Sequence, residues 1–274
     1  MIRSRPLKWM KHNAWQLSMA PLLFLIVVPI VALLFNISPL DFWTQIQQEE
    51  VHQAIQISFA SSLCTVLLTL LFGTPLAYFL SRRQHRLHRL VDTLVDLPTV
   101  LPPAVAGVAL LMAFGRRGLL GGWFNVLGFT LPFSFAAVVL AQLFIAAPLY
   151  IKSAALGFAA VDCELKKAAA LDGANRWQTF RYIMVPMAWA PILSGCVMTW
   201  ARALGEFGAT IIFAGNFPGR TQTMPLAIYI GFEINMTTAI TLSIILVVIS
   251  FIILVLVKTL LQDHLPFLQD DLFD

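Results

Sequence analysis

Apolar residues along the chain come in six long blocks, at 15–35, 55–80, 94–114, 133–151, 187–214 and 236–261, rather than in the short alternations of a half-buried strand. Each block can cross about 30 Å of hydrocarbon as a helix rising about 1.5 Å per residue. Helices satisfy their backbone polar groups within one segment, as a chain inside lipid must. The pattern therefore predicts an all-α polytopic membrane protein with six transmembrane helices. Three prolines within six residues of the third block, Pro98, Pro102 and Pro103, predict at least one bend or unwound turn there, because each removes a backbone donor.

Between the blocks lie a basic N-terminus at 1–14, one long polar loop between the fourth and fifth blocks, and a short acidic tail at 262–274 with Asp270, Asp271 and Asp274. The membrane domain spans 15–261. In the long loop, Cys163 to Leu171 has helix-forming composition. Asp172-Gly173 interrupts it, and a second stretch from Asn175 to Val185 carries Trp177, Phe180, Ile183 and Met184 at helical spacing before Pro186. Two short helices joined at a glycine are expected on the membrane face, the second stopping at Pro186.

Composition agrees with this reading. Of 274 residues, 59% are apolar and only 12% charged, against about a quarter charged in soluble domains. Mean hydropathy is +0.81. Soluble, disordered and collagen-like classes are excluded. The net charge of +4 gains meaning from where the cations sit. Arg3, Arg5, Lys8 and Lys11 precede the first block; Arg82, Arg83, Arg86 and Arg89 follow the second; Lys152, Lys166, Lys167, Arg176 and Arg181 flank the long loop; Lys258 closes the last block. These 14 share one side, and only Arg116, Arg117, Arg202 and Arg220, 4 in all, fall to the other. The positive-inside rule puts both termini and the long loop in the cytoplasm. Cations spread in this way make no nucleic-acid footprint. The apolar run at 15–35 is span-length with no small-residue cleavage site close behind it, so it is expected to stay as an anchor.

Cys64, Cys163 and Cys196 lie far apart and have no CxxC spacing, His12, His52, His85, His88 and His264 have no metal-ligand spacing, and no GxxxxGK[ST], GxSxG or HExxH occurs. The expectation is a chain with no catalytic residues, metal or cofactor of its own. Asp96, near the inner end of the third block, reads as a helix cap or interfacial residue. Arg202 and Glu206 stand out because ionisable residues inside a span are costly. Counted from Met187, they lie about 22 and 28 Å along the fifth block, toward its outer side. Four apart, they share a helix face and can pair.

The long loop resembles the cytoplasmic signature loop of bacterial and archaeal ABC-importer permeases, which runs Glu-Ala-Ala, then Gly four residues on, then Ile and a Leu-Pro ending. Lys167, Ala168, Ala169, Gly173, Ile183, Val185 and Pro186 match it, with Lys167 in place of the usual Glu and Glu164 one helical turn earlier. The runs Asp96 to Gly107 and Phe114 to Gly118 are similar to the third-span region of molybdate, tungstate and sulfate permeases, and Ala201 to Thr210 with Ala214 to Thr223 to the fifth-span region of the molybdate branch. The likeness extends over about 55–260.

This resemblance implies a type I ABC importer permease, N-in and C-in, in a bacterial or archaeal cytoplasmic membrane, working as a homodimer with a pathway for molybdate or tungstate, or alternatively sulfate or thiosulfate. It implies a cytoplasmic ATPase dimer that uses ATP and Mg, and an oxyanion-binding protein at the outer face. A coupling loop at 158–186 would dock on the ATPase through Lys167, Ala168, Ala169, Leu171, Asp172, Gly173, Ala174, Ile183 and Pro186. Arg202, Glu206, Pro102, Pro103 and Thr210 are candidates for the pathway or its gate. A stand-alone secondary transporter is the alternative of another class, and it commonly shows repeated halves, which this sequence lacks.

Overall fold

The computed structural model describes residues 6–82, 86–126, 128 and 130–262. Arg3, Arg5, Arg83, His85, His264 and the acidic tail lie outside the described residues. In chain order, α1 is Pro6–Phe35, α2 Pro39–Ile46, α3 Glu49–Leu80, α4 Arg86–Val100, α5 Pro103–Phe114 and α6 Gly121–Val126. Then come α7 Phe135–Ala160, α8 Cys163–Leu171, α9 Arg176–Met187, α10 Trp189–Leu204, α11 Gly208–Phe213, α12 Met224–Ile234 and α13 Met236–Gln262. No strand occurs among the described residues.

Three helices are long and apolar enough to cross a membrane unbroken: α3, α7 and α13. Six crossings arise when each bent pair counts as one span: α1 with α2 at 78°, α4 with α5 at 116°, and α9 with α10 at 73°. The third span bends, as its prolines predicted, while the fifth is broken where one continuous block was expected. Leu101, held off helical geometry by the proline after it, and Pro102, extended at ψ 134°, separate α4 from α5. The front part of the predicted 94–114 span belongs to α4, whose polar Arg89, Asp92 and Asp96 recur every three or four residues. What remains, α5, is 12 residues long, about 18 Å. In the fifth span, α10 ends at Leu204, and Gly205 to Phe207 separate it from the 6-residue α11. The fourth span is longer than expected, reaching Ala160, and the second starts earlier, at Glu49.

The bundle is organised around α7. On its N-terminal half, Ala137, Val138, Ala141 and Ile145 pack with Ala106 and Leu110 of α5 and Ala209 and Phe213 of α11. On its C-terminal half, Tyr150, Ile151, Ala154 and Phe158 pack with Ala77 and Leu80 of α3 and Met184 of α9. Lipid tails are as apolar as these side chains, so burial alone cannot fix the arrangement, and interhelical hydrogen bonds supply register. Buried Gln142 donates to Ser61 Oγ at 3.0 Å and accepts from Thr65 Oγ1 at 3.0 Å. Trp200 Nε1 donates to Ser62 at 2.9 Å, and the Met224 amide to Ser58 at 2.7 Å. Thr74 and Tyr150 share a bond of 2.6 Å.

Two π-helical turns, Thr69–Gly73 in α3 and Phe180–Met184 in α9, each sit just before a proline, Pro75 and Pro186. In the second, the Val185 amide bonds back five residues to Phe180. The wider turn shifts the ladder ahead of the residue that cannot donate, so the helix passes through it. The expected stop at Pro186 is therefore displaced: α9 runs to Met187, and the bend falls at Ala188 (φ −91°, ψ 11°).

The two interrupted spans meet at their breaks. A Cβ on Gly208 would lie 2.6 Å from Pro103 Cβ, and one on Gly107 would lie 2.9 Å from the Ala209 carbonyl oxygen. Only glycine permits this approach of α5 to α11. Gly208→Val is expected to destabilise the fold by about 1–3 kcal/mol through overpacking, read as a lower melting temperature of the detergent-purified chain. Unchanged melting would mean that the two breaks do not pack.

Candidate functional site

The signature-loop residues form a rigid corner whose geometry is set locally. Asp162 caps α8, its carboxylate accepting from the Glu164 amide at 2.9 Å. At the far end the Ala174 amide bonds the Ala169 carbonyl at 2.9 Å and the Gly173 amide bonds that of Ala170 at 3.2 Å. This is a Schellman ending, which requires a left-handed residue, and Gly173 has φ +86°. Asn175 then opens α9 with a reciprocal capping box, at 2.9 Å to the Gln178 amide and 2.8 Å from Gln178 Oε1 to its own amide. No atom lies within 4 Å of where a Gly173 Cβ would stand, so its constraint is backbone conformation and not space.

The corner presents an open face. Leu171 is 89% exposed, and Lys167, Ala168, Asp172 and Pro186 are exposed too, with Ala174 and Ile183 half-buried. Ala169 instead turns inward and is buried, so only one of the two signature alanines faces outward. Lys167 and Glu164 form no ion pair among the described residues. Cys163, at the start of α8, is exposed.

The other face of the corner is clamped to two spans. Phe180 of α9 lies 5.1 Å from the Tyr78 ring of α3 and 5.5 Å from the Phe158 ring of α7, while Tyr78 and Phe158 are 6.2 Å apart, edge to face. Such pairs add to simple burial. Arg82 donates to the Tyr78 hydroxyl and lies over its ring. Nearby, Lys152 of α7 bridges Asp92 at 2.5 Å and Asp96 at 2.8 Å, tying α4 to α7. Asp96 is thus an ion-pair partner and not a cap. The sequence signal was two carboxylates one helical turn apart, uninformative until the chain brings Lys152 to them.

At the other end of the membrane domain, Glu206 is 1% exposed and pairs through Oε2 with Arg202 Nη1 at 2.8 Å, Arg202 being 36% exposed. Its second oxygen accepts from the Ala209 amide at 2.9 Å and so starts α11. The two do not share a continuous helix face as expected, since Glu206 stands in the gap after α10. Gly205 ends the helix, and the carboxylate finds a partner on each side. Pro102 and Pro103 are exposed beside this gap. Thr210 is fully buried, its hydroxyl without a hydrogen-bond partner, which places it in the core and on no open wall of the single chain.

Residues 70–266 match the family described as the binding-protein-dependent transport system inner membrane component. The chain is 41% identical over 181 residues to the molybdenum transport system permease protein ModB of Escherichia coli K12, covering 65% of this chain and 78% of that one. It is 34% identical over 240 residues to the probable transport system permease protein NifC of Clostridium pasteurianum, covering 87% and 84%. In fold it matches a bacterial ABC transporter involved in the import of the acidic polysaccharide alginate, with a TM-score of 0.69 at 19% identity over 95% of this chain and 99% of that one. The chain therefore belongs to the binding-protein-dependent transport system inner membrane components.

Proposed function

We propose that the chain is the permease subunit of an ATP-driven importer for molybdate or tungstate, working as a homodimer in a bacterial or archaeal cytoplasmic membrane. Both termini and the α8–α9 corner face the cytoplasm, in keeping with the distribution of Lys and Arg. The observation that carries the reading is the corner itself: a preorganised, outward-facing pair of short helices, capped at each joint and clamped by Phe180 to two spans, in a chain whose sequence lacks a nucleotide-binding motif. The ATPase dimer supplies ATP hydrolysis with Mg and docks around Ala168 and Leu171. The molybdate assignment draws on the molybdenum permease relative and on the molybdate-like fifth span. Sulfate remains the family-internal alternative, because tetrahedral dianions differ chiefly in size and the third-span resemblance includes sulfate permeases.

In this reading the interlocked breaks lie at the outer end of the pathway. Arg202 and Glu206 border it with Pro102 and Pro103, giving a polar, mixed-charge wall past which a hydrated oxyanion moves without being held. Thr210 supports that wall from behind.

The substrate is tested by uptake of labelled molybdate in cells whose own molybdate import is deleted. Excess tungstate is expected to suppress uptake, with sulfate acting only weakly; stronger competition by sulfate would overturn the molybdate assignment. For coupling, Gly173→Val, which places a β-branched residue at φ +86° at a cost of about 1–2 kcal/mol, should insert in the membrane and lose at least about tenfold in uptake. Gly173→Asn, which tolerates the left-handed region, should retain most of it. Full uptake by Gly173→Val sinks the coupling role. For the pair, Arg202→Leu strands a buried carboxylate while Glu206→Gln leaves an arginine with an open side, so the first should lower the melting temperature more, by about 1–3 kcal/mol equivalent. Equal melting of the two variants counts against a desolvated pair.

A further inference from the structure

Between the second half of α3 and the first turn of α9 lies a cavity of about 630 Å³ that the proposed function does not use. That volume is within the range of small-ligand sites, about 300–1,000 Å³. On the α3 side, Leu71, Pro75, Tyr78 and Arg82 line it at three- or four-residue spacing. This wall therefore grades, over about 15 Å, from apolar within the span to aromatic and then cationic just past the end of the helix. On the α9 side, Arg176 and Trp177 face it from the first turn, followed by Phe180. No acidic side chain among the described residues lines it.

The walls are preorganised. Both π turns among the described residues border the cavity: Leu71 belongs to Thr69–Gly73, and Phe180 opens Phe180–Met184. Such turns recur at functional sites, because the extra residue re-aims the side chains around it. The aromatic band is fixed by ring contacts, Phe180 lying 5.1 Å from Tyr78 and 5.7 Å from Trp177. The Arg82 guanidinium carbon stands 4.4 Å from the Tyr78 ring centre, and the side chain donates to the Tyr78 hydroxyl. A guanidinium carries five N–H donors, so this contact orients Arg82 and leaves donors for a ligand. Arg176 is held in the turn that the Asn175 capping box starts. Neither arginine forms an ion pair among the described residues.

The gradient selects the occupant. A soluble anion would use the arginines and leave the apolar wall idle, and an acidic segment of a soluble protein has no reason to reach down to Leu71, inside the span. Cations above an aromatic band above an apolar groove instead complement an anionic phospholipid, whose phosphate, glycerol and acyl chain follow the same order. We propose that the cavity holds one anionic phospholipid of the cytoplasmic leaflet, its phosphate held by Arg82 and Arg176 and an acyl chain lying along Leu70, Leu71 and Pro75. The leaflet rests on the orientation proposed above. A lipid seated there fills the space between the α8–α9 corner and the second span, and so becomes part of what holds the corner in place.

The test titrates phosphatidylglycerol and, separately, phosphatidylcholine into the delipidated full-length chain and counts bound lipid by native mass spectrometry. The wild type should retain phosphatidylglycerol in preference to phosphatidylcholine. Arg82→Gln and Arg176→Gln should each weaken its binding about fivefold, while Arg181→Gln, a cation of α9 that does not line the cavity, should bind as wild type does. Millimolar glycerol phosphate or inorganic phosphate should not displace the lipid. Equal retention of the two lipids, wild-type binding in both cavity variants, or an equal loss in Arg181→Gln overturns the site. Displacement by the soluble phosphates overturns it too and makes the cavity a site for free anions. Cavity variants that keep the lipid but release the ATPase would mean that the arginines contact protein, and the lipid proposal is wrong. Labelling of the exposed Cys163 by a membrane-impermeant maleimide added outside intact cells would refute the orientation, and with it the leaflet, without touching the lipid count.

Discussion

A membrane helix that breaks exposes backbone groups that lipid cannot satisfy, and the rest of this structure follows from how that constraint is met. The third and fifth spans both break, at Leu101-Pro102 and at Gly205 to Phe207, and each covers the other. Gly107 and Gly208 let α5 and α11 approach to backbone contact, and the Glu206 carboxylate takes over an amide that α10 no longer reaches. Because that carboxylate is buried, it needs a cation, and Arg202 one turn back provides it. The ion pair is thus a consequence of the break as much as a feature of any pathway.

The helix α7 carries this arrangement across the membrane. Its first half holds the two half-helices and its second half holds the end of α3 and the clamp residue Phe180. The α8–α9 corner is held against α3 and α7 by packed rings, and its joints are themselves capped. The polar contacts of Gln142, Thr65 and Ser61 fix α3 against the N-terminal half of α7.

The spans and the corner were legible in the sequence because their signals are local. Apolar run length marks a crossing, apolar residues at helical spacing after Asn175 mark a second helix, and Gly173 after an alanine-rich stretch marks an end. Three prolines announced the bend in the third span, though not that α4 would leave the span at 116°. What stayed hidden depends on side chains distant in sequence. Asp92 and Asp96 have no meaning until Lys152 arrives, and the inward turn of Ala169 follows from packing and not from the motif it belongs to. Pro186 misled for a related reason: as a terminator it ends α9, yet a π turn ahead of it absorbs the missing donor. The break at Glu206 escaped notice since glycines at 205 and 208 are compatible with a continuous membrane helix.

The central claim is that the exposed face of the α8–α9 corner grips a separate ATPase. Affinity purification of the tagged chain with that subunit tests it most directly, comparing the wild type with Leu171→Asp, a change at a side chain that touches almost nothing within the chain. The account predicts that the wild type retains the ATPase in stoichiometric amount and that Leu171→Asp, equally abundant in the membrane, loses it. An ATPase retained equally by both, or absent from both, would contradict it.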